Sequence, residues 1–223
     1  MKKRTFFVIA IIAVMLVAYE GKVNYEPKVK TTKDTDWEIT ANYPKFEGDK
    51  MANANKAIKA IVDSFYNDWE EFFTTSYERI EPDGMGAAEM SYQVFYADTD
   101  AVSILFETME YSGGMHPRHS YITLNYDIVK KRIADVSDLM IEDYVQELAD
   151  YCERDIIRQM KKRGVWDELT TISEIEPTLA SFNLFNATRS SLYFTFNEGK
   201  LTGNWLGKFT VELPMDSFNA ITD

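Results

Sequence analysis

The chain has 223 residues, 45% hydrophobic and 14% aromatic, with a formal net charge of −12. That length and apolar content suffice for an ordinary buried core, while the acidic balance excludes the clustered lysine and arginine by which proteins hold nucleic-acid phosphates. The sole cysteine, Cys152, excludes an internal disulfide.

Lys2, Lys3 and Arg4 precede an apolar run from Phe6 to Val17. A dozen residues fall short of the ~20 that a spanning helix needs and match the apolar region of an export signal. Residues 1–20 read as a signal peptide cleaved near Ala18, or as an uncleaved N-terminal anchor. Either one places the remainder outside the cytoplasm, periplasmic or secreted, with the membrane touched only through this segment. Residues 21–36 are polar, lysine-rich and aperiodic, which predicts a flexible linker.

Alternation from Trp37 to Tyr43 predicts a strand, stopped at Pro44. From about Asn53 to Phe73 a helix follows, because Ile58, Ile61, Val62, Phe65, Trp69, Phe72 and Phe73 recur at three-to-four spacing. So broad an aromatic stripe requires a sheet beneath it. Beyond the break at Glu81-Pro82-Asp83-Gly84, strands are predicted over 89–96, 101–111 and 120–127. The first two flank the hairpin-length Asp98-Thr99-Asp100. Another reversal is read over 127–133.

Between the second and third of these strands lies Tyr111-Ser112-Gly113-Gly114-Met115-His116-Pro117. Paired glycines adopt positive φ without steric cost, so the backbone turns sharply here and its amides stay approachable. A second helix is expected over 142–163, with acidic residues in its first turn, Lys161, Lys162 and Arg163 in its last, and Gly164 beyond. Strands return over 182–185, 192–196 and 209–213, the last ending at Pro214. The order argues an α+β domain: a mainly antiparallel sheet covered by two long helices, forming a single compact unit.

The segment Trp37 to Pro44, Gly48 and the 53–73 helix resemble the N-terminal module of the RsiV/PdaC-like extracytoplasmic domain family. The Tyr-Ser-Gly-Gly-Met-His-Pro run, Asn125-Tyr126-Asp127 and Asp135-Val136-Ser137-Asp138-Leu139 resemble its companion C-terminal module, a domain of unknown function. This divides the chain into 37–110 and 111–223, two intimately packed modules. The resemblance implies a domain of the cell envelope, with lysozyme recognition in one branch of the family. The Thr-Phe-Asp-Asp-Gly motif of the polysaccharide-deacetylase domain is absent from these residues. Only Met1 to Thr5 precede the apolar run, so a cytoplasmic anti-sigma segment is not expected.

The chemistry-bearing side chains are few. His116 and His119 are the only histidines. To hold zinc they would need to recruit a carboxylate such as Glu110 or Asp127, since a catalytic zinc takes three protein ligands. No nucleophile elbow is present, and Cys152 sits on the apolar face of the second predicted helix. Aromatic side chains in the central strands, Tyr92, Phe95, Tyr96, Tyr121 and Tyr126, are mostly core, unless the helices leave one face open to stack sugar rings.

The sequence therefore predicts a non-enzymatic recognition domain that binds a cationic lysozyme-like protein or a cell-wall glycan, such as a peptidoglycan fragment. Tyr111, Gly113, Gly114, His116, His119 and Tyr121 form its contact surface. No catalytic residue, metal or cofactor is assigned. The competing reading is a metal-assisted hydrolase acting on envelope glycans through His116, His119 and a carboxylate.

Overall fold

The computed structural model describes residues 20–21, 23–77, 85–113, 116–140, 142–166, 172–197, 199, 201 and 206–217. Its first layer is a seven-stranded sheet built from β1 (Glu20–Gly21), β2 (Tyr25–Lys33), β3 (Trp37–Phe46), β4 (Gly86–Ala97), β5 (Ala101–Tyr111), β6 (Arg118–Asp127) and β7 (Arg132–Ile133). The strands lie in the order β2-β3-β4-β5-β6-β7, and β1 pairs with the far end of β4. Helix α1 (Ala52–Thr75) joins β3 to β4, which are parallel. At about 1.5 Å per residue, 24 helical residues return the chain some 36 Å, so that β4 starts level with the start of β3.

The α1 stripe read from the sequence is the one that packs. Ile58, Val62, Phe65 and Phe73 are buried against Ile39, Ala41, Ala88, Met90, Ile104 and Phe106 of the sheet. Trp37 stacks on Phe73 with ring centroids 5.5 Å apart. Gly86 lies beneath this pair, with no room for a side chain.

A second, smaller layer holds β8 (Phe185–Ala187), β9 (Ser191–Phe196) and β10 (Phe209–Pro214) as an antiparallel sheet in the order β10-β9-β8. Helix α2 (Val145–Arg163) packs on it through Leu148, Cys152, Ile156 and Met160, which meet Phe182, Phe194, Val211 and Leu213. Gly164 ends α2 at φ 71°, the left-handed cap that glycine adopts without steric cost. Burial pushes the Cys152 thiol up, so it stays protonated and inert in this core.

The α+β class expected from the sequence stands. The expected single helix-covered sheet is instead two sheets, each with its own long helix, and the pairs β3–β4 and β1–β4 are parallel among otherwise antiparallel neighbours. Three local expectations also change. Residues 25–33, expected as flexible linker, form β2, because β3 has an unfilled edge and pairs with it along nine residues. β3 runs through Pro44 to Phe46, because Pro44 faces Pro27 across the ladder. Neither has an N–H, so they occupy a non-bonded pair of the antiparallel pattern and forfeit no hydrogen bond. The strand expected over 182–185 begins only at Phe185, since Leu179–Phe182 is a 3-10 turn that drives Phe182 edge-on against Phe194 and Phe196.

Between the layers, Asp135 caps the 3-10 turn Val136–Asp138 and accepts from the Ser137 N–H at 2.9 Å, while Asp138 accepts from the Asp135 N–H at 2.8 Å. Arg132 grips Asp138 with both guanidinium nitrogens and, with that N–H, holds the carboxyl well below its ordinary 3.8. A depressed carboxylate contributes stability above its ordinary value and loses it as pH falls toward the folded value. The Tm difference between the protein and Asp138→Asn is therefore expected to stay constant from neutral pH to the ordinary carboxylate range and to close below 3.8. Melting curves over a pH series check this, and a gap that closes near neutrality would contradict it.

Candidate functional site

Side chains alternate along each strand, so one face of the large sheet looks toward α1 and the other away from it. On the second face, cross-strand register sets Glu89 beside Met109 and Met109 beside His119, and in the next row Ser91 beside Glu107 and Glu107 beside Tyr121. The small sheet covers one end of this face. There Phe95, Leu105 and Tyr121 form a buried joint against Leu184 and Tyr193. Where that cover stops, a groove of about 320 Å³ opens, lined by Asn42, Glu89, Met90, Ser91, Glu107, Met109 and His119.

The groove wall nearest the joint is electrostatically ordered. Lys208, just before β10, places Nζ 2.5 Å from Glu107 Oε2 and 4.7 Å from the centre of the Tyr121 ring. The other carboxylate oxygen of Glu107 lies 3.5 Å from Nδ1 of His119. Glu107 thus ties the second layer to the first through Lys208, while the buried Nδ1 of His119 makes no hydrogen bond to it. Asn42 donates to the Met90 carbonyl at 3.2 Å, closing the opposite side.

The joint itself is polar at its centre. Ser103 donates to Asn125 Oδ1 at 2.7 Å and accepts from Asn186 Nδ2 and the Ala187 N–H, both at 3.0 Å. Asn125 donates onward to the Phe185 carbonyl at 2.8 Å. At the rim, Arg189 reaches from the β8–β9 turn to the Tyr96 hydroxyl at 2.8 Å, to Asp98 at 3.1 Å and to Asp100 at 3.6 Å. These bonds fix one layer on the other, so the groove beside them has one shape.

Of the predicted contact residues, Tyr111, His119 and Tyr121 share the face away from α1, while His116 is exposed in the β5–β6 hairpin loop. Gly113 holds φ 100°, the positive value expected of it, and Gly114 lies outside the described residues. Glu110 is turned to the opposite face and paired with Arg118 at 3.1 Å. Among the described residues no group of three His, Cys, Asp or Glu side chains is placed to hold a metal. Tyr121, expected at a binding edge, is only 6% exposed, because the small sheet packs over it. Phe95, Tyr96 and Tyr126 are buried as well. Tyr92 is half-buried beside Tyr25, and burial, with that neighbouring phenol, pushes its own up to about 12.

The sequence reading missed Asn42, Glu89, Glu107, Met109 and Lys208. One signal was present in β5, where Val102 to Phe106 is five buried residues in succession and Glu107 is half-exposed. A strand covered on both faces reads as a continuous run, and the first charge marks where one cover ends.

The family model described as deacetylase PdaC matches residues 30–119, which include β3, α1, β4, β5 and the glycine hairpin. The peptidoglycan-N-acetylmuramic acid deacetylase PdaC of Bacillus subtilis (strain 168) is 20% identical over 195 residues, covering 86% of this chain; the chain spans 40% of that relative's length. A DUF3298 family member from Bacteroides fragilis superposes with a TM-score of 0.63 at 17% identity, over 89% of this chain and 92% of that one. A DUF3298 protein of Pseudomonas aeruginosa PAO1 gives the same TM-score and coverage at 10% identity. Residues 30–119 thus match the PdaC family model, and the chain as a whole shares the fold of these two DUF3298 proteins.

Proposed function

We infer that this chain is a recognition domain of the cell envelope, exposed outside the cytoplasm, which binds a cationic lysozyme-like protein in preference to a cell-wall glycan and breaks no bond itself. The observation that carries this reading is the open groove, in which Glu89, Asn42 and Ser91 stand on a rigid sheet beside a glycine hairpin, with Glu107 held at its wall by Lys208. In a chain of net charge −12 such a face attracts lysine and arginine of a partner. Phe95, Tyr96 and Tyr121 are buried, so the face offers charge and hydrogen bonds in place of a ring-stacking platform; this favours the protein ligand over the glycan. Envelope location is supported by the likeness to a peptidoglycan deacetylase and by the Lys2-Lys3-Arg4 and apolar start of the sequence.

Calorimetric titration with hen lysozyme and, separately, with soluble peptidoglycan fragments tests this. Lysozyme is expected to bind, with affinity falling roughly tenfold between low and high salt, and Glu89→Gln is expected to slow association. Binding of fragments alone would transfer the site to glycan. Binding of neither overturns the reading.

A further inference from the structure

The two ends of the large sheet differ in character. At one end lies the glycine hairpin, where Tyr111 pairs with Ala87. At the other lie β1, the Asp98–Asp100 hairpin and the turn from β6 to β7, which is docked on that hairpin by the Ile128 N–H donating to the Asp100 carbonyl at 2.9 Å. Ten residues of β4 separate the ends, about 33 Å of extended strand.

Three independent features meet at the second end. Glu20 pairs with Tyr96, and only Ala18 and Tyr19 separate it from the apolar run Phe6–Val17, a reach of about 10 Å. The β6–β7 turn stands about 14 Å away, three strand spacings across β4, β5 and β6. It projects Val129, which is 74% exposed, with Ile133 at 58% beyond it. Lys131 at its tip holds φ 55°, a backbone state that glycine or asparagine would adopt at less cost. Lastly, most carboxylates of this end already have cationic partners: Asp127 is paired with Lys130 and Asp138 with Arg132, while Asp98 and Asp100 share Arg189.

We propose that the turn Ile128-Val129-Lys130-Lys131 is a membrane-contact surface, seating Val129 and Lys131 against an anionic phospholipid bilayer when the N-terminal apolar run is embedded in it. An exposed aliphatic side chain beside a lysine is the combination that an anionic headgroup layer takes up, Lys131 meeting phosphates and Val129 entering the acyl boundary. The glycine hairpin then stands at the far end of the sheet, some 33 Å from the lipid surface, where a soluble partner reaches it.

The test uses the full chain with the apolar run retained, in vesicles of phosphatidylglycerol and phosphatidylethanolamine that carry a nitroxide lipid. Val129→Cys and Ser112→Cys, each labelled with an environment-sensitive fluorophore, report the two ends, since the buried Cys152 stays unlabelled. The label at 129 is expected to lose roughly half its emission and the one at 112 almost none, and adding Lys131→Glu is expected to reduce the loss at 129. Quenching at 112 equal to or greater than at 129, or no association of the full chain with the vesicles, overturns the proposal.

Discussion

Ser103→Ala is expected to lower the unfolding free energy by about 2–4 kcal/mol, although it removes a single oxygen. That oxygen donates to Asn125 and accepts from Asn186 and from the Ala187 N–H, and Ser103, Asn125 and Asn186 are all buried. Alanine leaves three polar groups in a buried joint with one partner fewer. Urea unfolding measures the effect, with Thr123→Val as the comparison. The Thr123 hydroxyl meets the Asn183 carbonyl at 3.3 Å at the partly exposed edge of the same joint, and its loss is expected to cost under about 1 kcal/mol. Equal effects at the two positions would show that the joint is wet and the network dispensable. Because the layers meet at this joint, Ser103→Ala is also expected to expose the segment 183–191 to protease before the large sheet unfolds.

Gly86→Ala is the second large effect, expected to destabilise by about 1–3 kcal/mol through overpacking. An added Cβ would lie 2.5 Å from Cε1 of Phe73 and 3.0 Å from Cζ of Tyr77. Phe73 has no room to retreat, since its ring is 4% exposed, stacked on Trp37 and wedged against Trp69, Phe72 and Tyr77. Alanine ordinarily improves a strand position over glycine, so a loss here isolates the clash from backbone preference. Thermal melting of Gly86→Ala alone and with Phe73→Leu checks the assignment. The second substitution makes space and is expected to recover part of the loss, and the absence of any recovery would place the cost elsewhere.

What the sequence disclosed and what it withheld divide along physical lines. Helix α1 was legible because Ile58, Val62, Phe65 and Phe73 repeat at the helical period and one face of the helix is buried. The β4–β5 hairpin was legible because its three-residue turn is local, as was the left-handed Gly164 cap. The parallel pairing of β3 with β4 was not, since it depends on where a 24-residue helix delivers the chain and leaves no mark on either strand. β2 was missed for a related reason. Its burial alternates only between half-buried and exposed, so its composition is that of a linker and only the unfilled edge of β3 makes it a strand. The sharp turn between β5 and β6 was legible from its own residues, with Gly113 at positive φ. Asn42, Glu89, Glu107 and Lys208 come together from four segments, and Lys208 reaches Glu107 across 101 positions of sequence. Tyr121 shows the converse, because nothing in its neighbourhood announces that Leu184 and Tyr193 will cover it.

The proline pair at the outer edge of the large sheet bears on how such a chain survives where it accumulates. β2 is the unpaired margin, and there Pro27 offers no N–H while Lys28, Lys30 and Lys33 bring charge to the same short stretch. A neighbouring copy that approached in register would find a gap in the ladder at Pro27. Edge-to-edge self-assembly is therefore interrupted at this margin by Pro27, and the lysines that suggested a loose tether are held along it by Glu26, Asp63 and Glu38.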